Sequence, residues 1–202
     1  MGKIEELEKL KREMEENKKL PLFGQANLVF GEGDAGAEVM FIGEAPGFHE
    51  DRLSRPFVGQ AGKLLDKLFV LINWPRESVY ITNIVKRRPP ENRDPLPEEI
   101  EAYKPYLKKQ IQIISPKIIA ALGRFAMNYF LPDFKISQSH GKGIVLRGKI
   151  IYPLYHPAAA LRATAILKEL EADFKKLPDL LKNIESVKIE EKKEAPKQAP
   201  LF

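Results

Sequence analysis

The amino-acid sequence predicts an α/β protein in which helices cover both faces of a parallel-type sheet. Short, continuous apolar runs, which are typical of strands buried on both faces, alternate along the chain with segments of helical periodicity. This alternation favours parallel strands with helical crossovers. The 202 residues, 44% of them hydrophobic and 30% charged, have the composition of one globular domain with a sizeable core.

Four segments are predicted as core strands. The first two, residues 38–43 (EVMFIG) and 79–85 (VYITNIV), are almost wholly apolar. The third covers 117–123 (KIIAALG), and the fourth lies in 143–155, where we expect a hairpin that turns at the sequence RGK. Ligands of such sheets bind where the parallel strands end. The unusual loops GEAPG, NIVKRRPP and HPAAALR all lie at the ends of predicted strands, which indicates a site at that edge.

Apolar residues at helical spacing predict the helices that connect these strands. The first is an N-terminal helix supported by Glu–Lys pairs four residues apart. The predicted helical segments are 1–19, 59–72, 98–114, 124–131 and, after an opening loop, 156–177. We therefore expect one domain over residues 1–177. Residues 178–202 balance five acids against five lysines with few apolar residues, which is typical of a disordered tail.

Composition excludes several classes of function. The chain has no cysteine, so disulfides, thiolate metal sites and cysteine nucleophiles are excluded. No apolar run approaches the roughly 18–20 residues that span a bilayer, and the charged N-terminal segment is not a signal peptide, so we expect a cytoplasmic protein without membrane partners. The net charge of +5 is compatible with a polyanionic partner and equally with plain solubility.

The loop Gly43–Gly47 (GEAPG) is the first candidate for chemistry. Its glycines allow close backbone approach to a ligand, and the Glu44 carboxylate could orient a water molecule or stabilise a cation. The alternative is a tight strand exit with a solvated glutamate. Phe57 follows a proline and precedes a predicted helix, where it is either a stacking surface for a flat ligand or a core residue.

Two further polar residues lie in or beside apolar strands. Asn83 lies inside the second strand, and its amide offers an acceptor beside a donor, which suits the edge of a nucleobase. The alternative is a structural hydrogen bond to a neighbouring loop, since a buried amide needs partners. His156 opens HPAAALR at a stiff strand-to-helix corner, where it could equally be a structural N-cap.

Six motifs together resemble the family-4 uracil-DNA glycosylases over residues 29–175. In chain order they are VFGEGD, GEAPGFHED, RPFVGQAG, YITNIVKRRPPENRDPLPEEI, ALGRFA and YHPAAALR. The resemblance implies a three-layer α/β/α sandwich around a four-stranded parallel-type sheet. It also implies hydrolysis of the bond that joins uracil to deoxyribose in DNA, which initiates base excision repair. The enzyme would flip the base out of the duplex and would need no metal, and we expect it to act as a monomer.

The resemblance also assigns roles to residues. Phe57 would stack on the flipped uracil, Asn83 would bind its edge, and backbone N–H groups of the loop formed by Gly43, Ala45 and Gly47 would contact its carbonyls. His156 would stabilise the leaving uracil anion, and Glu44 would position water or stabilise the sugar cation. DNA contacts would come from a wedge and from basic side chains: Leu161, Arg162, Lys86, Arg87 and Arg88. Alternatively, Leu161 belongs to the core and the basic run is a solvated face.

The chain departs from the family at one feature. Family-4 enzymes usually carry a four-iron cluster held by four cysteines, and the corresponding positions here are Asn17, Leu20, Arg87 and Tyr103. We therefore expect no iron–sulfur cluster and no other cofactor. Leu20 and Tyr103 would help to fill the vacated volume, with the N-terminal helix packed beside them.

The C-terminal QAPLF resembles the bacterial sliding-clamp-binding pentapeptide. Gln198, Leu201 and Phe202 would then bind the clamp, and the disordered tail would connect them flexibly to the domain; the alternative is an unrelated tail end.

The sequence leaves two other functions of the protein open. One is a non-catalytic module that binds DNA or uracil, and the other is a glycosylase with a shifted base preference, such as hypoxanthine. Uracil-containing DNA in the nucleoid is the expected substrate.

Overall fold

In the computed structural model, which describes residues 2–184, a six-stranded sheet forms the centre of the chain. The strands in chain order are β1 (Glu32–Gly33), β2 (Val39–Gly43), β3 (Tyr80–Asn83), β4 (Ile118–Leu122), β5 (Ile144–Leu146) and β6 (Lys149–Leu154). Their order across the sheet is β1-β3-β2-β4-β6-β5. The four inner strands are parallel to one another, which confirms the predicted α/β class and parallel core.

Each edge of the sheet carries one short antiparallel strand, so the sheet has six strands and not the four that the resemblance implied. Of these two edge strands, β5 was predicted as part of the hairpin and β1 was not predicted. β5 and β6 form the expected hairpin, and β1 pairs with β3 at the opposite edge. β3 is shorter than the predicted segment 79–85, because it ends at Asn83. The N–H groups of Ile84 and Val85 instead donate to the carbonyls of Gly43 and Glu44.

Eight α-helices surround the sheet within the described residues. They are α1 (Lys3–Glu16), α2 (Phe48–Leu53), α3 (Gln60–Leu71), α4 (Pro97–Ile114), α5 (Gly123–Phe130), α6 (Ile136–Ser139), α7 (Pro157–Ala160) and α8 (Thr164–Lys182). The short helices α2 and α6 were not predicted, since four to six residues are too few for a clear helical period.

Two hydrophobic cores lie on the two faces of the sheet. Along β2, Met40 and Ile42 point into the core formed with α1, α4 and α5. Val39 and Phe41 point into the core formed with α3, α7 and α8. This alternation follows from the two-residue period of a strand, and it gives the three-layer α/β/α sandwich that the resemblance implied.

The last helix is longer than the sequence indicated. It runs to Lys182, five residues beyond the predicted domain boundary at 177. Leu180 and Leu181 explain the difference, because both pack against the core that α8 shares with the sheet. No helix within residues 2–184 combines the length and the apolar character needed to cross a membrane.

Candidate active site

The carboxyl ends of the four parallel strands line one edge of the sheet and surround a cavity of about 550 Å³. The register places Gly43 of β2 opposite Asn83 of β3, and Leu122 of β4 opposite Leu154 of β6. The loops after all four strands therefore meet at this edge. The volume lies in the range of small-molecule sites. The residues used below that line the cavity are Glu44, Ala45, Gly47, Glu50, Phe57, Asn83, Asn92, Asp94, Arg124, His156 and Arg162.

Phe57 and Asn83 lie side by side over Gly43. A Cβ atom on residue 43 would overlap both the Phe57 ring and the Asn83 side-chain oxygen, so glycine is required there. Phe57 has left-handed backbone dihedrals, with φ of 51°, which a bulky residue rarely adopts. Its carbonyl packs so closely against Gly62 of α3 that a side chain at 62 would overlap it. Phe57 thus belongs both to the core and to the cavity wall.

Asn83 ends β3 with its side chain in the cavity wall, although only 2% of the residue is exposed. Within the described part of the chain, no protein group forms a hydrogen bond with the Asn83 side-chain amide. A buried amide without a protein partner costs free energy unless a ligand or water pairs with it. The amide is therefore available to a ligand that offers both a donor and an acceptor.

His156 caps a short helix and also lines the cavity. Its Nδ1 accepts a hydrogen bond from the Ala158 N–H at 3.1 Å, so in the neutral ring the proton lies on Nε2. The imidazole ring lies 5.7 Å from the Phe57 ring, centroid to centroid. Burial lowers the pKa of His156 to about 4, while the Glu50 carboxylate acts in the opposite direction. At neutral pH the side chain is therefore an uncharged donor through Nε2–H.

Glu44 follows β2 directly and is half-buried at the cavity wall. The pKa of Glu44 is raised to about 7. Burial is the main cause and the nearby Asp94 carboxylate adds to it, while Arg124 acts in the opposite direction. A carboxyl group with this pKa can change its protonation state near neutral pH, which suits general acid–base chemistry. Asp94 and Arg124, which lie 3.7 Å apart, were not predicted, because their proximity to Glu44 depends on two loops that are distant in sequence.

Glu50 is a further residue that the sequence analysis missed. Its Oε1 accepts hydrogen bonds from the backbone N–H groups of Val58 (2.9 Å) and Gly59 (2.7 Å). These two donors directly follow Phe57, so the Glu50 carboxylate holds the loop that carries the ring. The only sequence signal was the acid-rich stretch FHED, which does not reveal a partner eight residues away.

Lys86 requires a correction, because the structure does not leave it free to contact phosphates. The residue is 0% exposed, and its Nζ donates to the hydroxyl of Thr82 and to the carbonyl of Asn83. Burial lowers the pKa of Lys86 well below its ordinary value. The Thr82 hydroxyl in turn donates to the Phe30 carbonyl. Lys86 therefore supports the end of β3, and it belongs neither to a DNA-binding surface nor to a solvated face.

Arg87 requires the same correction, since only 3% of it is exposed. Its guanidinium lies 5.1 Å from the centroid of the Phe23 ring and donates to the Tyr103 hydroxyl at 3.2 Å. That hydroxyl donates to the Pro21 carbonyl at 2.6 Å. From the sequence alone, a basic residue beside a proline-rich loop is expected to be exposed. In the structure, the segment that follows α1 covers Arg87.

The four positions that the resemblance assigns to cluster ligands carry side chains that do not fit an iron–sulfur cluster. Tyr103 and Arg87 fill the region with an aromatic ring and a guanidinium, Leu20 is buried beside them, and Asn17 donates to the Tyr106 hydroxyl at 2.8 Å. None of these side chains is a thiolate, which iron–sulfur clusters require. Across residues 2–184, moreover, no group of three or more His, Cys, Asp or Glu side chains is arranged to hold a metal ion.

The remaining predicted residues divide into four groups. Leu161 is 52% exposed and Arg162 lines the cavity beside it, so Leu161 does not belong to the core. The Arg88 guanidinium lies over the Phe48 ring. Ala45 and Gly47 line the cavity with Glu44. The peptide QAPLF, with Gln198, Leu201 and Phe202, lies outside the described residues.

Comparison with known proteins identifies relatives that cover most of the chain. The family model for the uracil DNA glycosylase superfamily matches residues 30–182. A type-4 uracil-DNA glycosylase of Sulfurisphaera tokodaii is 47% identical over 188 residues, which cover 88% of this chain and 86% of that protein. Proteins of the same name from Saccharolobus solfataricus (48% identity; 77% and 76% coverage) and Archaeoglobus fulgidus (43%; 88% and 94%) are also similar.

Proposed function

Because the chain belongs to the uracil DNA glycosylase superfamily, we infer that it is a uracil-DNA glycosylase, a hydrolase that removes uracil from DNA in base excision repair. The observation that carries the assignment to this cavity is the Asn83 amide, which has no protein partner within residues 2–184 and lies beside the Phe57 ring. Uracil within a duplex is inaccessible to such a cavity, so the nucleotide must rotate out of the stack before it binds.

Phe57 and Asn83 account for recognition of the flipped base. The Phe57 ring stacks on the face of uracil, while the Asn83 side-chain oxygen accepts from N3–H and its NH₂ donates to O4. Cytosine presents an acceptor and a donor in the opposite arrangement, so it would leave the buried amide mispaired. Sites built on such hydrogen bonds discriminate by about 10⁴ or more. Backbone N–H groups of the Gly43–Gly47 loop, which includes Ala45, complete the contacts to the uracil carbonyls.

His156 and Glu44 act on the bond that breaks. As the bond between N1 of uracil and C1′ of deoxyribose lengthens, negative charge develops on the uracil ring and positive charge on the sugar. The Nε2–H of neutral His156 donates toward O2 of the leaving uracil, which stabilises the anion. The ionised Glu44 carboxylate stabilises the sugar cation and orients the water that adds to C1′. The products are uracil and an abasic site.

The DNA strand is held at the rim of the cavity. Leu161 is exposed next to the cavity-lining Arg162, a position that suits an apolar wedge inserted into the gap left by the flipped base. Arg162 supplies a positive charge for a neighbouring phosphate. Since Lys86 and Arg87 are buried, the DNA contacts at this end of the site fall to Arg88 and Arg162.

Uracil release needs no cofactor in this proposal. The groups assigned to the reaction are all side chains or backbone amides, and the residues that the resemblance assigns to cluster ligands are unsuited to iron.

Two further points extend the proposal beyond the reaction itself. Gln198, Leu201 and Phe202 form the anchor of a sliding-clamp-binding peptide, so deletion of QAPLF should abolish clamp binding and leave activity on short oligonucleotides unchanged. The enzyme acts as a monomer on cytoplasmic, nucleoid-associated DNA.

The test is uracil release from a labelled oligonucleotide in the presence of EDTA, followed by alkaline cleavage at the abasic site. We expect cleavage at uracil, and Asn83→Ala should lose it while retaining salt-sensitive DNA binding. Leu53→Ala, which changes an exposed side chain of α2 outside the cavity wall, is the matched control. A folded wild-type protein that binds DNA without releasing uracil would favour the non-catalytic module or another base, such as hypoxanthine.

A further inference from the structure

An aromatic–cation pair lies beside the cavity, and its aromatic member, Phe48, has no role in the proposed reaction or in the DNA contacts assigned above. Phe48, the first residue of α2, is 53% exposed. The guanidinium carbon of Arg88 lies 5.2 Å from the centroid of its ring, within the range of a cation–π contact. His49 contacts Phe48 edge-on, with ring centroids 5.5 Å apart. The Phe48 ring therefore contacts two neighbouring side chains while more than half of the residue faces solvent.

The pair is anchored to the wall of the active-site cavity. The Nε of Arg88 donates to the Asn92 side-chain oxygen at 2.7 Å, and Asn92 itself lines the cavity. Asn92 and its neighbour Glu91 both have left-handed backbone dihedrals, with φ near 54° and 55°. Non-glycine residues in that conformation cluster at functional sites. Phe48 directly follows Gly47 and Arg88 directly precedes Pro89. Gly47 and Pro89 both line the cavity, so each member of the pair is next to a residue of the cavity wall.

We propose that Phe48 and Arg88 form a stacking platform for an unpaired nucleobase next to the flipped uracil on the same DNA strand. This inference rests on the proposed function and extends it to a second base. The occupant of the platform must be flat, must offer an apolar face and must reach the mouth when uracil fills the cavity. A neighbouring base meets all three requirements, and Arg88 adds a positive charge near the adjoining phosphate.

The platform has a consequence for strand preference. In duplex DNA both faces of a base are covered by its stacked neighbours, so it must be unstacked on one side before it can bind Phe48. A base in single-stranded DNA is free to bind. Stacking on an aromatic side chain contributes about 1–3 kcal/mol per base, which corresponds to roughly 5- to 150-fold in affinity. We therefore expect the platform to favour uracil in single-stranded or locally opened DNA.

The experiment compares wild type with Phe48→Ala and Phe48→Trp on a single-stranded oligonucleotide and on its duplex. Phe48→Ala should raise KM for the single strand about tenfold, with kcat unchanged, and should reduce the preference for single-stranded DNA. Phe48→Trp keeps a stacking surface and should retain the wild-type KM. Leu53→Ala, a change of another exposed apolar residue of the same helix, is the control and should change neither constant.

A direct reading comes from 2-aminopurine placed on each side of uracil in turn, because stacking on a ring quenches its fluorescence. We expect quenching on one side with wild type and its loss with Phe48→Ala. Equal KM values and equal fluorescence for the two proteins would overturn the platform. If wild type binds DNA but releases no uracil, the glycosylase assignment fails, whereas the fluorescence still decides whether Phe48 contacts a base.

Discussion

Replacement of Glu50 by alanine should reduce uracil release although this side chain takes no part in bond breakage. The Glu50 carboxylate accepts from two consecutive backbone N–H groups, those of Val58 and Gly59. Both follow Phe57, whose left-handed backbone is uncommon for a bulky residue. Removal of the carboxylate leaves the loop with no side-chain acceptor at either N–H group, so the Phe57 ring should lose its fixed position.

The size of the effect follows from these contacts. A hydrogen bond to a charged group contributes about 1.5–3 kcal/mol, and a strained backbone residue needs about 1–3 kcal/mol from its surroundings. Loss of the carboxylate removes two such bonds, or about 3–6 kcal/mol of support for the loop before water is taken into account. Water can replace part of this support, because the Glu50 site is only partly buried. We expect kcat/KM for uracil release to fall about 10- to 100-fold.

The assay is steady-state uracil release for Glu50→Ala and Glu50→Gln, with thermal unfolding to show that both variants fold. Glutamine keeps an oxygen acceptor at the same reach, so Glu50→Gln should retain most of the activity. Wild-type activity in a folded Glu50→Ala protein would refute the positioning role, and equal losses in the two variants would assign the effect to charge instead.

Three other changes test the neighbouring interactions. Asp94→Asn should lower the pKa of Glu44, because it removes a nearby negative charge. In a pH–rate profile, the rise of kcat/KM through about pH 7 should then move to lower pH. An unchanged profile would contradict the assignment of Glu44 as the base. Lys86→Met should retain the fold, because an apolar side chain of similar length suits this buried position. It should nevertheless lower the rate of uracil release about tenfold, because the Asn83 carbonyl loses the hydrogen bond from Lys86. Tyr103→Phe should lower the free energy of unfolding, measured in urea, by about 1–3 kcal/mol, because Arg87 and the Pro21 carbonyl lose the hydroxyl that both of them bind. We expect kcat/KM to stay constant. An unchanged unfolding midpoint would show that this hydroxyl does not stabilise the region.

The local pattern of the sequence determined the class of the fold and the position of the site. The four apolar runs became the four inner strands, because a strand buried on both faces must be apolar along its whole length. Glu44, Asn83 and His156, which lie at or just after the ends of β2, β3 and β6, converge at one edge of the sheet, because parallel strands all end on the same side. These features depend on neighbours along the chain, so periodicity and spacing were sufficient to predict them.

Tertiary packing alone decided which charged side chains are exposed and which contact each other. The run of Lys86, Arg87 and Arg88 looks uniform in sequence, yet the first two are buried and the third stacks on Phe48 at the cavity mouth. Glu50 acquires its role only when residues 57–59 pack against it. The pKa of Glu44 is raised mainly because the folded chain buries its carboxyl group, and Asp94 raises that pKa further. Burial and electrostatic environment depend on groups that are distant along the chain but close in space, and a one-dimensional pattern does not contain those distances.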